Sequence, residues 1–243
     1  MSVKRHYDDL LGPVYSWVVG DFESASLRSE ALFDKVALKP RSCGLAVDLG
    51  CGPGCQAIPL ADRGFMVIAM DFCEELLGEL GHRSAGRSIV TVCDDILNFA
   101  DHVDEPPELV TCMGDTLVHL SDEDIVQDLV GRIASAIAPG GVFIATLRDY
   151  SGPPPTGAAR FIPVRSDGDR IFTCFLDYRD GWIDVHDILQ TRQDDGWTMQ
   201  IGRYRKLLLD YRRVVEWLRE AGLAVAAPFT DHGMQVVLAT KAA

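Results

Sequence analysis

AVDLGCGPGCQAI, residues 46–58, is the stretch that decides the fold. An apolar run reads as a buried strand, meets Gly50, Gly52 and Gly54, and leaves as a helix. Glycines between strand and helix strip side chains from a turn and leave its amides open. Bare amides at a helix start suit anionic and polar ligands, so the stretch points to a nucleotide.

Outward from it, strands and helices alternate between residues 45 and 147: LAVDL, PLADRG, FMVIAMD, ELLGEL, IVTVC, ELVTCM, a helix from about Ser121 to Ile137, and VFIATL. Ser121-Asp-Glu-Asp supplies an N-cap and an acidic first turn, and Pro139-Gly-Gly breaks the helix. That alternation predicts parallel strands covered by helices, a doubly wound sheet. Residues 3–42 are expected to be helical and amphipathic, with Leu27, Ala31, Leu32 and Val36 on one face and Pro40 at the end.

The rhythm changes after Tyr150. SGPPPTG reads as a linker, because proline fits neither a helix interior nor a central strand. Strand-like runs ARFIPVR, RIFTCFLDY, WIDVHDILQT and WTMQIGRYRKLLL follow, broken by SDGD, RDG and DDG. These predict an antiparallel platform inserted after the fifth strand. A helix over 210–221 leads back, and LAVAAPF and MQVVLAT complete the sheet. The expected divisions are an N-terminal helical lid segment (1–42), a cofactor-binding core (43–150), the platform (151–209) and a final helix and strands (210–243).

Composition narrows the function. With 23 Lys and Arg against 36 Asp and Glu, the net charge is −13 and no long basic run exists. That argues against nucleic acid and for a small-molecule ligand. No run approaches the ~18 apolar residues of a membrane span, and MSVKRHYDDL is not a secretory signal. Seven cysteines without a CxxC pair predict a reduced, cytoplasmic protein. Metal patterns such as HExxH are absent, so no metal is expected. The sequence leaves a homo-oligomer open.

Two nucleotide classes compete for the glycines. A dinucleotide fingerprint needs G-x-G-x-x-G, but position 55 is Cys and Asp48 precedes the first glycine by two. VDLGCGPG resembles motif I of class I S-adenosylmethionine-dependent methyltransferases. The resemblance implies a Rossmann-like α/β fold, a seven-stranded doubly wound sheet whose last strand is antiparallel. It also implies S-adenosylmethionine as cofactor, with Asp48, Gly50, Gly52 and Gly54 in its loop. Asp71, ending FMVIAMD, has the placement of an acid that accepts from ribose hydroxyls. Asp95 after IVTVC falls where the family puts an acid for the adenine amino group, with Ile96 against the ring. Phe72 and Met113 are assigned to the cofactor on the same grounds. Residue by residue, a tight turn or a helix cap would explain the glycines and acids equally well.

CMGDTLVHL, LRDY and VYSWVVGDFESAS resemble glycine and sarcosine N-methyltransferases and related small-molecule enzymes. By that resemblance Arg148 would hold a substrate carboxylate, Tyr150 would sit at the reacting amine, and His119 would lie near donor and substrate. The proton acceptor is sought among Tyr150, His119 and Asp115, in that order. A salt bridge of Arg148 with Asp149, and backbone capping by His119, remain open. The chain departs from the pattern: Asp115 and Asp149 replace Asn, Ala25 stands where an arginine for the cofactor carboxylate belongs, and Val18 replaces a tyrosine. The added negative charge suggests a larger or more cationic amine than glycine. Trp182, Trp197, Tyr178 and Tyr204 either close over the substrate or pack the platform. O-methylation of a hydroxyl or carboxyl, and a non-catalytic S-adenosylmethionine-binding module, are the rival readings. GDTL, where a DNA amino-methyltransferase would have [DN]PP[YFW], counts against a flipped base.

Overall fold

The computed structural model describes residues 2–243. The core strands are β1 (Leu45–Leu49), β2 (Met66–Asp71), β3 (Ile89–Cys93), β4 (Leu109–Cys112) and β5 (Val142–Arg148), followed later by β10 (Leu223–Val225), β11 (Phe229–Asp231) and β12 (Met234–Lys241). Strands β6 (Phe161–Ser166), β7 (Arg170–Tyr178), β8 (Trp182–Gln193) and β9 (Gly196–Leu207) form a separate four-stranded sheet.

The main sheet runs β10-β12-β5-β4-β1-β2-β3, with β11 paired to β12. β1 to β5 pair in parallel and β12 is antiparallel to β5. This is the Rossmann-like α/β sheet that the resemblance implies, with the antiparallel sheet inserted after the fifth strand. The strand order reverses between β1 and β4, and the carboxyl ends there open the crevice in which such sheets bind ligands.

Helices α3 (Phe22–Lys35), α4 (Ala57–Asp62) and α5 (Glu74–Arg83) cover one face, burying Leu32, Phe33, Leu60 and Leu80. Helices α6 (Glu123–Ala136) and α7 (Tyr211–Glu220) cover the other through Leu129, Ile133, Val214 and Leu218. Asp122 and Asp210 cap them, each accepting from a backbone amide of the first turn.

Two expectations need correction. The N-terminal segment is broken rather than continuous: α1 (Val3–His6), a wide turn over Tyr7–Leu11, a tight one over Gly12–Val14, α2 (Tyr15–Val19), and then α3, which starts at the cap Asp21 and stops at Lys35, short of Pro40. Leu27 and Ala31 face solvent, Leu27 at 61% exposure. The buried face of α3 runs through Ser26, Ser29, Leu32 and Phe33, because serines tuck in where α3 meets the loop-side helices. LAVAAPF is not one strand; Pro228 lies between β10 and β11, and its missing amide cannot join a ladder. Among the described residues, no helix is long and apolar enough to cross a membrane.

Candidate active site

β1 delivers its glycines to the sheet's carboxyl edge. The Gly50 and Cys51 amides both donate to the Met70 carbonyl, at 2.8 and 3.0 Å, which folds the loop over the end of β2. Gly50 has φ +73°, and a Cβ there would lie 2.5 Å from Thr116 Cγ2. Only glycine lets the loop rest on the Thr116–His119 turn. The Gly52 amide donates to Asp71 Oδ2 and the Cys73 amide to Asp71 Oδ1, both at 2.9 Å. Asp71 therefore braces the loop while keeping lone pairs toward the crevice. Burial raises its carboxyl above the usual range, against the lowering effect of these amides.

Gly50, Gly52, Asp71, Phe72, Asp95, Ile96 and Met113 line one cavity of about 1680 Å³. Adjacent acids divide their work. Asp94 bonds Asn98 and His102, each at 2.9 Å, and turns inward to its own segment. Asp95 caps the following turn through Leu97 and faces the cavity.

Asp48 and Gly54 do not line the cavity. Gly54 is held at φ +96° with its Cα against Leu80, so its absent side chain serves helix packing. Asp48 lies beneath the loop, accepting the Thr111 hydroxyl at 2.7 Å, with Oδ2 lacking a well-formed partner. Burial pushes its carboxyl up to about 7. The folded pKa lies above an unfolded value near 4, so the folded chain holds this proton more tightly. Its contribution is full at low pH and is lost as pH rises from about 4 to 7. Asp48→Asn is therefore expected to be more stable than the parent at pH 8 and to lose that advantage by pH 4. The difference should approach about 1.4 kcal/mol per pH unit inside that window. Thermal melts across pH check it; parallel pH profiles would show that Asp48 does not titrate there.

At the far side of the cavity Asp115 is the hub. It is 2% exposed and sits at φ +72°, a conformation Asp and Asn tolerate better than most side chains. Oδ1 accepts the Arg148 amide at 3.0 Å. Oδ2 accepts the Tyr150 hydroxyl at 2.6 Å and Lys206 Nζ at 3.3 Å, with Arg148 Nε at 3.8 Å. Burial, then the Asp115 charge, raise the Tyr150 phenol far above its ordinary value. Tyr150 is thus fixed as a donor. The Arg148 side chain is 65% exposed, faces the cavity, and has Asp115 rather than Asp149 as its acidic neighbour.

His119 also lines the cavity, with Nδ1 buried and unbonded; it caps nothing through that nitrogen. Burial, with the Lys206 and His6 charges, holds it well below the usual histidine range, hence neutral. Its ring lies 5.5 Å from Tyr204 and 6.2 Å from Tyr7. Tyr178 and Tyr204 reach the cavity; Trp182 and Trp197 do not.

Lys206 was not singled out from the sequence, though its signal is simple. Along β9 residues alternate, and Lys206 shares the inward face with Tyr204. The N-terminal segment contributes Tyr7, Leu11 and Tyr15 to the cavity and is fastened to the platform by buried His6, whose Nε2 lies 2.8 Å from Asp187 Oδ2. Among the described residues no group of three or more His, Cys, Asp or Glu side chains is placed to hold a metal.

Residues 46–141 match a family described as a methyltransferase domain. Glycine/sarcosine N-methyltransferase of Halorhodospira halochloris is 28% identical over 134 residues, 54% of this chain and 50% of that protein. Trans-aconitate 2-methyltransferase of Variovorax paradoxus is 28% identical over 195 residues, 76% of this chain and 70% of that one. The chain spans about half the length of the first of these relatives. In fold it is similar to the CcbJ methyltransferase of Streptomyces caelestis, with TM-score 0.78, 21% identity and 98% of each chain covered. Over residues 46–141 the chain carries a methyltransferase domain, and its fold is that of S-adenosylmethionine-dependent methyltransferases. The cavity suits that cofactor: Asp71 keeps acceptor sites beyond the two amides it holds, the glycine loop lines the wall with bare backbone, and Ile96 and Met113 add apolar surface. The amides of Gly50, Gly52 and Gly54, expected to be open, are instead taken by Met70, Asp71 and Cys51.

Proposed function

We propose that the protein methylates a small molecule at nitrogen, the acceptor being an amine that also carries a carboxylate. The observation that carries this reading is the Asp115 hub, placed in the same cavity as the glycine loop and Asp71. When bound, S-adenosylmethionine supplies a methyl group already activated by its sulfonium. The protein's share is to align, to exclude water and to manage one proton.

Asp71 and the loop hold the donor end, and the lid residues Tyr7, Leu11 and Tyr15 shut out solvent. Asp115 takes the proton from the acceptor's ammonium, so that the nitrogen lone pair is free. Tyr150 steadies Asp115 by donating to it, and His119, neutral, stands on the cavity wall beside Tyr204 and Tyr7. This orders the three groups differently from the sequence reading, with Asp115 first. Arg148, largely exposed on the cavity wall, is the fork for the acceptor's carboxylate. Lys206 offsets the charge that Asp115 adds, so a more cationic acceptor than an amino acid is not required.

One observation favours O-methylation of a carboxylate as the second reading: Arg148 and Lys206 flank Asp115 and would hold such an acceptor without any proton transfer. Methyl-labelled donor incubated with amino acids, amines, di- and tricarboxylates and phenols separates these. Base-stable label on an amino acid or amine supports nitrogen transfer, and base-labile label on an acid supports the ester. No label on any acceptor, with cofactor bound, would identify a non-catalytic binding module.

A further inference from the structure

Ala25 leaves the cofactor's amino-acid tail without the cation that the methyltransferase pattern would place there, and the same helix supplies another. α3 presents residues 25 and 28 on one face, since side chains three apart are neighbours on a helix. Both Ala25 and Arg28 line the cavity that the glycine loop and Asp71 also line. The register of α3 is fixed by its cap, where Asp21 accepts the Glu23 and Ser24 amides at 3.2 and 3.1 Å. It is also tied to the loop by Gln56, which donates to Ser29 Oγ at 3.3 Å.

We infer that Arg28 is the cation that binds the carboxylate of the cofactor's amino-acid tail, one helical turn from where the pattern expects it. This rests on the cofactor reading above. The other cations of the cavity are engaged. Lys4 pairs with Asp8 at 2.8 Å, Arg203 with Asp184 at 2.9 Å, and Lys206 with Asp115 at 3.3 Å. Arg205 stacks on Trp182, 4.2 Å from the ring centre, and Arg148 belongs to the acceptor wall. The basic residues packed around α3 are engaged as well, Lys35 by Asp231, Arg63 by Asp34 and Arg83 by Glu79. Among the described residues Arg28 forms no ion pair, although its charge is felt at Cys55, the first residue after the glycine loop. A guanidinium facing a ligand cavity with no acidic partner is ready for a carboxylate.

Calorimetry with S-adenosylhomocysteine and 5′-methylthioadenosine tests this, because the second lacks the amino-acid carboxylate. Arg28→Ala is expected to weaken the first by about 10- to 100-fold, to leave the second unchanged, and to keep the parent's melting temperature. Arg28→Lys should recover part of the loss, since it keeps the charge without the fork. Equal losses for both ligands, or no loss for either, would overturn the assignment to Arg28. A parent protein that binds neither ligand would instead overturn the cofactor reading, and Arg28 would fall with it.

Discussion

Asp115→Asn is expected to lower turnover by about 10²- to 10⁴-fold, the range for removing a positioned proton acceptor, while the protein stays folded and binds cofactor as before. Asn keeps the left-handed backbone at this position and can still accept the Arg148 amide. What it loses is the charge that Lys206 and the Tyr150 hydroxyl are arranged around. Lys206 is partly exposed, so its stranded ammonium can turn to water and the stability loss should stay near ~1–2 kcal/mol. Tyr150→Phe should cost far less, about 10-fold or below, because a phenol held as donor only orients its partner. Single-turnover rates, read beside melts and cofactor affinity, decide the matter. Tyr150→Phe falling further than Asp115→Asn would return the proton to Tyr150; an Asn variant within about threefold of the parent would mean that no proton passes through Asp115.

Gly202→Ala is expected to loosen the whole N-terminal segment. A methyl group at Gly202 would overlap the ring of His6, which is fully buried, stacks on Tyr204 at 4.5 Å and bonds Asp187 at 2.8 Å. The ring has no room to yield, since Gly202 and Asp187 are paired in register across β8 and β9. Expelling His6 leaves the Asp187 carboxylate buried with only the Cys174 thiol, 2.9 Å away, as donor. Removing one partner of a buried pair costs about 3–5 kcal/mol, a drop in melting temperature on the order of 10 °C for a chain of this size. Amide exchange over residues 3–19 should quicken more than in the main sheet. In a His6→Ala background the same substitution should cost less than about 1 kcal/mol, because the overlap is gone. Additive losses would show that His6 and Gly202 act separately and that the N-terminal segment is held elsewhere.

Much of this architecture could be read from the chain because it is written in local signals. The order of strands and helices, the four platform strands and a cap within Ser121-Asp-Glu-Asp, which falls on Asp122, follow from periodicity and turn chemistry over a few residues. So does the glycine loop, whose ligand-facing backbone needs no side chain. The N-terminal helix was harder: Leu27 and Ala31 fit a helical period but look outward, while Ser26 and Ser29 face in, and the partner of Ser29 is the distant Gln56 at the start of α4. The acceptor side was least legible. Asp115, Tyr150 and Arg148 come from neighbouring strand ends, but Lys206 comes from the inserted sheet 91 positions beyond Asp115. His6 meets Asp187 across 181 positions. No spacing rule links such pairs; only the docking of the platform and the N-terminal segment onto the sheet does. Asp48 carries the converse lesson. Its place in the motif suggests a ligand contact, whereas the structure gives it a buried supporting position under the loop.

The most direct test is a crystal structure with S-adenosylmethionine bound. The expected density has adenine between Ile96 and Met113, ribose on Asp71, and the sulfonium methyl facing the space bounded by Asp115, Arg148 and Tyr150. A cofactor lying in the reverse sense, with its methyl turned from Asp115, would contradict the account, as would a cavity that stays empty at saturating ligand.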